Sequence, residues 1–409
     1  MKRKHTTKIS IVIIFTLLFF TGCETYNNFR AAFWDIEEDS DAVIRIGVFQ
    51  PLSGQHQRNG ELERRGIELA HELFPSVFGI NVELIFADNQ SNLYVAETAI
   101  QTLIGRNPAI VLGSYGEIYS LIAAAFLEEA GIPAITATNT NWLVTSSNPY
   151  YFRIRFVYSF EGTAVARFAV EDLNASSAAI FKPANDDSAI AVSQAFWDGM
   201  ADFTGNEDVV VSSQDFDSND YDFREQLRII RNSGADVVFM PSSIEDAAEI
   251  LIQAREVGVT ATFLGIHNWE NPELIERAGA AAEGVAFSSI FDPETDVTEM
   301  TEVFLRAYRE KYGEDAIPAV EVALAFDAYL VAIDAIRRAG TWLYGGRIKR
   351  ALADTHDFQG ASGSITFDER GDPIKSVVIK TVRNGEIVAT YIVEPTFDDD
   401  EDEEYDDGV

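Results

Sequence analysis

Apolar and polar positions follow a repeating order along this chain. Short runs rich in β-branched residues are followed by longer stretches whose apolar positions fall at helical spacing. Residues 109–140 show the pattern compactly. Ala109–Gly113 is a short apolar run ending in Gly, which predicts a buried strand. In Ile118–Ala130, Ile118, Leu121, Ile122, Ala125 and Phe126 share a helical face. Gly131 stops that helix, Pro133 follows, and Ile132–Thr136 begins the next strand. Strand, helix and strand over about thirty residues make one βαβ unit of a parallel sheet. In such sheets ligands sit beyond the carboxyl ends of the strands. Ser114–Glu117 and Ala137–Thr140 leave that edge, and both are rich in small polar residues. The first opens a helix whose free N–H groups suit polar ligand atoms.

The alternation begins at Val43 and continues. Strands are expected at Ile44–Phe49 and Val82–Ala87, with helices at Asn59–Phe74 and Tyr94–Ile104. Beyond residue 150, strands at Tyr151–Arg155, Ala178–Lys182, Val209–Ser213, Asp236–Met240, Thr262–Gly265 and Val285–Ser289 alternate with helical stretches. One compact sheet of ordinary size does not need so many strands, so a second lobe is expected. Helices at Val297–Tyr312, Ala319–Ala339 and Arg347–Ala353 follow. The chain then turns to β signals at Ser364–Phe367, Lys375–Val382 and Glu386–Val393, with a hairpin turn at Arg383-Asn384-Gly385.

The two ends differ from this body. Met1–Gly22 has a basic head (Lys2, Arg3, Lys4, Lys8) and an apolar run, Ile9–Phe20, too short to span a bilayer comfortably. Phe20-Thr21-Gly22-Cys23 then resembles the lipobox of bacterial lipoproteins, with Phe20 where Leu is usual. Cys23 is the only cysteine and is the expected lipid attachment residue; an ordinary signal peptide with an incidental cysteine is the alternative. The mature protein then has no other thiol, and core packing alone must hold it. Residues 23–42 read as a tether, on which Phe29, Phe33 and Trp34 are candidates to dock on the body. Residues 396–409 read as a disordered acidic tail.

Charge and motif content narrow the function. The formal charge is -35, and loss of the leader's four basic residues makes it more negative. Asp398–Asp407 carries nine of the negative charges, so the body itself stays strongly acidic. That argues against nucleic acid, whose binding needs clustered cations, and against adsorption to anionic lipid. Membrane attachment is expected only through the lipid. No two glycines stand two residues apart, and no Gly-Lys pair exists, so neither a dinucleotide fingerprint nor a P-loop is present. G-x-S-x-G is absent as well. The five histidines are scattered with no i,i+4 pair. No metal site, no cofactor and no enzymatic activity are expected.

Three sets of residues carry a family resemblance: Ile46-Gly47-Val48-Phe49-Gln50-Pro51-Leu52-Ser53-Gly54; Val111-Leu112-Gly113 with Glu128-Glu129-Ala130-Gly131-Ile132-Pro133; and Phe358-Gln359-Gly360 through Gly363-Ser364-Ile365-Thr366-Phe367-Asp368 to Gly371. In this order the chain resembles the periplasmic binding proteins of type I fold. It is most similar to the branched-chain amino-acid-binding (leucine/isoleucine/valine-binding) family of ABC transporter substrate-binding lipoproteins. The resemblance implies an α/β fold of two Rossmann-like lobes with parallel-sheet cores, joined by three hinge crossings. One lobe is then 43–157 plus 291–362, and the other 158–290 plus 363–395. It also implies a small ligand held between lobes that close on it, and ABC permease subunits as partners at the outer face of a membrane.

The family's contact positions fall here on residues of a different kind. The Ser or Thr that usually holds the ligand carboxylate is Glu117, beside Tyr115 and Gly116. Thr138 and Thr140 fill the places of the next strand's loop. An aromatic position after the Ser-Gly turn is Asn59. A Tyr-Gly pair is replaced by Asp187-Ser188, another aromatic by Ser243, and the acidic residue that meets the ligand ammonium by His267. The scaffold is kept and the amino-acid recognition set is not, so a small polar ligand that is amino-acid-like, amide or cationic is expected. Trp142 and Trp269 are further candidates for the cleft. Plainer roles stand beside these: Glu117 favours a helix dipole, Asp187-Ser188 suits an N-cap, and His267 suits a solvated loop. The alternative function is a sensor or protein-interaction module on the same fold, regulating an envelope enzyme.

Overall fold

In a computed structural model, residues 42–394 are described, apart from 147, 218–219 and 296–297. The expected signal peptide, Cys23, the tether to Asp41 and the acidic tail lie outside the described residues. Contacts divide the chain into two units. Unit 1 ends its first passage at Arg155 and holds the second passage up to Pro373; unit 2 runs from Phe156 to Thr295 and resumes at Ile374.

The first passage of unit 1 contains β1 (Ile44–Gln50), α1 (Gln57–Leu73), β2 (Ser76–Val77), β3 (Ile80–Asp88), α2 (Leu93–Ile104), β4 (Ile110–Gly113), α3 (Glu117–Ala130), β5 (Ala134–Thr136), α4 (Leu143–Ser146) and β6 (Tyr151–Arg153). Its sheet has the order β2-β3-β1-β4-β5-β6, parallel except for the short β2–β3 pair. β1 is buried at every position but Arg45, as a strand covered on both faces must be. The chain goes to one side of β1 for β3 and returns to the other for β4, so the strand order reverses between β1 and β4. That reversal leaves a crevice at the strand ends.

One expectation about a helix face meets a different outcome. On α3 the buried residues are Tyr119, Ser120, Ala123, Ala124 and Leu127, while Ile118 is half exposed. The expected stripe is displaced by one position. This helix is apolar nearly all round, so periodicity does not select a side, and the alanines are what allow close approach. On α1 the buried face includes Glu63, fully inaccessible among Gly60, Gly66, Ile67 and Ala70.

Unit 2 continues with α5 (Tyr158–Glu171), β7 (Ala178–Pro183), α6 (Asp187–Thr204), β8 (Val210–Phe216), α7 (Arg224–Ser233), β9 (Val237–Phe239), α8 (Ile244–Val257), β10 (Thr262–Gly265), α9 (Pro272–Ala278) and β11 (Ala286–Ser289). The second passage of unit 1 supplies α10 (Glu299–Tyr312), α11 (Val320–Ala339), α12 (Gly345–Ala353), β12 (Phe358–Gly360) and β13 (Gly363–Phe367). β14 (Pro373–Lys375) lies at the last crossing, and β15 (Val377–Arg383) and β16 (Glu386–Val393) belong to unit 2. The sheet of unit 2 has the order β16-β15-β11-β10-β9-β7-β8. It is parallel from β8 to β11, and β15 and β16 join antiparallel. Its strand order reverses between β7 and β9.

Residues 363–373 were expected in the second lobe but group with unit 1. β13 pairs with β12 from Phe358↔Ile365 to Gly360↔Gly363, and Arg153 on β6 makes an ion pair with Asp372 at 2.5 Å. The β15–β16 turn is the expected hairpin: Arg383 pairs Glu386, and Asn384 and Gly385 both take positive φ, 55° and 76°. That is the geometry an Asn-Gly pair favours.

Candidate functional site

In unit 1 the loops after β1, β4 and β5 meet at the point of strand reversal. Gln50 ends β1. Its Oε1 accepts the Tyr115 N–H at 2.8 Å and its Nε2 donates to Glu63 Oε2 at 2.5 Å. The backbone donor fixes the orientation of the amide, so the second bond is a donation by Gln50. The other Glu63 oxygen, Oε1, accepts from the Thr138 hydroxyl at 2.5 Å. Glu63 therefore links α1, β1 and the loop after β5. Burial pushes its carboxyl up to about 7 against the hydrogen bonds from Thr138 and Gln50, and Glu321 adds to the rise.

Glu117 opens α3, and its Oε1 accepts from the Thr140 N–H (3.2 Å), the Thr140 hydroxyl (2.8 Å) and the Asn141 N–H (2.9 Å). This oxygen holds the loop after β5. Gly116 is the N-cap residue of the same helix. Asn59, on α1, donates from its amide to Glu321 Oε1 at 3.2 Å. The Tyr115 phenol is half-buried and pushed up by burial first, then by Glu321 and Glu63; Arg155 opposes and Glu117 adds. Ser114 joins the loops after β3 and β4: its hydroxyl accepts from Asn89 Nδ2 at 2.8 Å and donates to the Tyr115 carbonyl at 2.9 Å. The structure thus brings Asn59, Tyr115, Gly116, Glu117, Thr138 and Thr140 to one edge of unit 1. Sequence reasoning missed Gln50, Glu63 and Glu321 there. The signal for Glu63 was its register with Gly60 and Gly66 on the buried face of α1.

In unit 2 the corresponding strand-end loops carry Asp187, Ser188, Ser243 and His267. Asp187 and Ser188 are exposed in the first turn of α6, whose N-cap is Asp186; its carboxylate accepts from the Ser188 and Ala189 N–H groups. Ser243 is the exposed N-cap of α8 and accepts from the Asp246 N–H at 3.1 Å. His267 is half-buried, and its N–H and Nδ1 both meet Glu161 Oε1, at 3.0 and 2.8 Å. Ser288 donates to the same oxygen. Burial pushes Glu161 up, but the His267 contacts and Ser288 outweigh it and hold the carboxyl below its ordinary range. His267 is therefore a partner of a buried carboxylate rather than a solvated loop residue. Trp269 is fully buried in the core of unit 2, so it lines no surface, whereas Trp142 of unit 1 is largely exposed.

Among the described residues no group of three or more His, Cys, Asp or Glu is arranged to hold a metal ion, and no helix is long and apolar enough to cross a membrane. A family profile for periplasmic binding proteins matches residues 43–386. Leu/Ile/Val-binding protein homolog 3 of Brucella melitensis is 23% identical over 350 residues, covering 81% of this chain and 89% of its own. An amino acid binding protein of Pseudomonas aeruginosa is 26% identical over 350 residues, covering 81% and 87%. Among solved structures, the leucine binding protein LivK of Thermotoga maritima is 33% identical with a TM-score of 0.65, covering 86% of this chain and 99% of its own. LivJ of Streptococcus pneumoniae, solved with isoleucine, is 27% identical with a TM-score of 0.64 and coverage of 87% and 100%. Matched through both units by the profile and aligned over most of its length with these solved relatives, the chain belongs to the periplasmic binding protein family of type I fold, among the relatives of leucine/isoleucine/valine-binding proteins.

Proposed function

We propose that this protein is the lipid-anchored, extracytoplasmic solute receptor of an ABC importer. Its family is one of solute-binding proteins outside the cytoplasm. The ligand is small and polar: amino-acid-like, amide or cationic. One observation carries this reading. At the strand reversal of unit 1, three loops converge on a hydrogen-bonded set (Gln50, Glu63, Tyr115, Thr138) whose polar groups stand where α/β sheets take ligands. The named amino-acid-binding relatives support a ligand of that size. Asn59, Gly116, Glu117 and Thr140 on unit 1, and Asp187, Ser188, Ser243 and His267 on unit 2, are the further ligand contacts in this reading. Cys23 carries the lipid, and the permease subunits are the protein partners.

The test is a thermal-shift panel on protein lacking residues 1–23, covering amino acids, amides, polyamines and nucleosides. A ligand at about a hundred times its dissociation constant adds about 2.7 kcal/mol to stability. Absence of any shift across the panel, with a partner protein recovered by crosslinking, would favour a sensor or interaction module instead.

A further inference from the structure

Resting on the solute-receptor reading, we propose that the strand-end edge of unit 1 takes the hydrogen-bond-donating end of its ligand, a primary ammonium or amidinium, in preference to a carboxylate.

The hydroxyl hydrogens at this edge are already committed. A threonine hydroxyl has one hydrogen to donate and lone pairs to accept. With Glu63 ionised, Thr138 gives its hydrogen to Glu63 Oε1, and Thr140 gives its own to Glu117 Oε1. Ser114 gives its hydrogen to the Tyr115 carbonyl, and Ser120 donates to the Ser114 carbonyl. Ser114 and Ser120 are fully buried, and Ser120 already accepts from the Ser114 N–H and the Asn139 amide, so it is the Thr138 and Thr140 hydroxyls that offer a ligand only lone pairs. A carboxylate brings lone pairs as well and finds no hydroxyl partner among them; an ammonium brings three donors. The charges agree. Around the Tyr115 phenol the charges of Glu321, Glu63 and Glu117 act against the guanidinium of Arg155.

Glu63 sets this polarity. Gln50 is locked by the Tyr115 N–H, so its Nε2 must donate to position 63. In Glu63→Gln, the new Oε1 then faces Gln50 and the new Nε2 faces Thr138. That amide donates to Thr138, whose own hydrogen is released toward the ligand. A single substitution thus converts the Thr138 hydroxyl from acceptor to donor.

Two matched probe pairs test it by calorimetry, at about two pH units above the Glu63 value so that the carboxylate is ionised. The pairs are isoamylamine with isocaproate, and benzylamine with benzoate. In the unmodified protein at least one amine should bind, and more tightly than its carboxylate partner. Thr138→Val should weaken that amine by about tenfold or more, the usual size of a lost hydrogen bond to a charged group. Glu63→Gln should weaken the amine and improve the matching carboxylate. Thr140→Val, at a less buried position, repeats the amine measurement should either of these variants fail to fold by circular dichroism. A carboxylate that binds more tightly than its amine, or an amine indifferent to Thr138→Val and Thr140→Val, overturns the inference and leaves the solute-receptor reading standing. If no probe binds and the wider ligand panel is also silent, the receptor reading falls and this inference falls with it.

Discussion

Glu63 is a carboxyl in a place that disfavours its charge. Its folded value is about 7 against an ordinary 4.5. Thr138, Gln50 and Glu321 face it, and the Tyr115 and Tyr151 phenols sense its charge. A raised folded value means that the neutral form is favoured by the fold. The contribution is fully present below pH 4.5 and is lost as pH rises through about 7. A tenfold change in an acid dissociation constant corresponds to about 1.36 kcal/mol, so the loss is about 3 kcal/mol. Glu63→Gln keeps both hydrogen bonds and removes the titration. Urea unfolding should therefore find the variant gaining on the unmodified protein by about 3 kcal/mol between acid and mildly alkaline pH. Parallel stability profiles across that range would show that Glu63 ionises as freely folded as unfolded. Glu117 teaches a different lesson at the same scale. It stands where the family resemblance places a ligand-holding Ser or Thr, yet one of its oxygens holds Thr140 and Asn141.

Helix packing decides where these carboxylates stand. α1 and α11 cross at Gly66, where an added Cβ would lie 2.1 Å from the Val322 carbonyl oxygen. α11 is buried along most of its length, so it has little freedom to withdraw. Gly66→Ala gains about 1 kcal/mol of helix preference. Overpacking typically costs about 1–3 kcal/mol, and a backbone oxygen cannot rotate aside as a side chain does. A net loss of up to about 2 kcal/mol is expected, read as a lower urea midpoint with unchanged slope. Gly105→Ala is the control, because the added carbon there meets nothing nearer than 3.4 Å. If the two variants unfold alike, the α1–α11 contact is looser than the backbone spacing implies. Ligand affinity should fall with Gly66→Ala, since α1 carries Glu63 to the strand edge.

At the scale of the whole molecule, charge and attachment matter most. The formal charge of -35 gives no electrostatic hold on an anionic membrane. Among the described residues no helix spans a bilayer. In the proposed function, membrane residence rests on Cys23, the sole cysteine. Cys23→Ser should abolish labelling by a fatty-acid analogue and move the protein from the membrane to the soluble fraction. Equal labelling of the variant would refute the anchor. Each unit has its own sheet with a strand reversal, and the chain passes through unit 1 twice, which is why residues far apart in sequence share its edge.

What the sequence determined by itself was local. β-branched runs, helical spacing and glycine stops mark the alternation of strand and helix, because each depends on neighbours within a few residues. Asn384-Gly385 marks its hairpin for the same reason, and parallel βαβ connectivity then places the candidate site at the strand ends. The tertiary structure decided what depends on distant partners. Glu63 meets Thr138 across 75 positions of sequence, and Asn59 meets Glu321 across 262. The buried side of α3 was undecided by a pattern apolar all round. Residues 363–373 took their unit from pairing with β12 and from the Arg153–Asp372 ion pair. Local spacing says which residues share a helix face; only packing says which face is buried and which carboxylate receives each hydroxyl hydrogen.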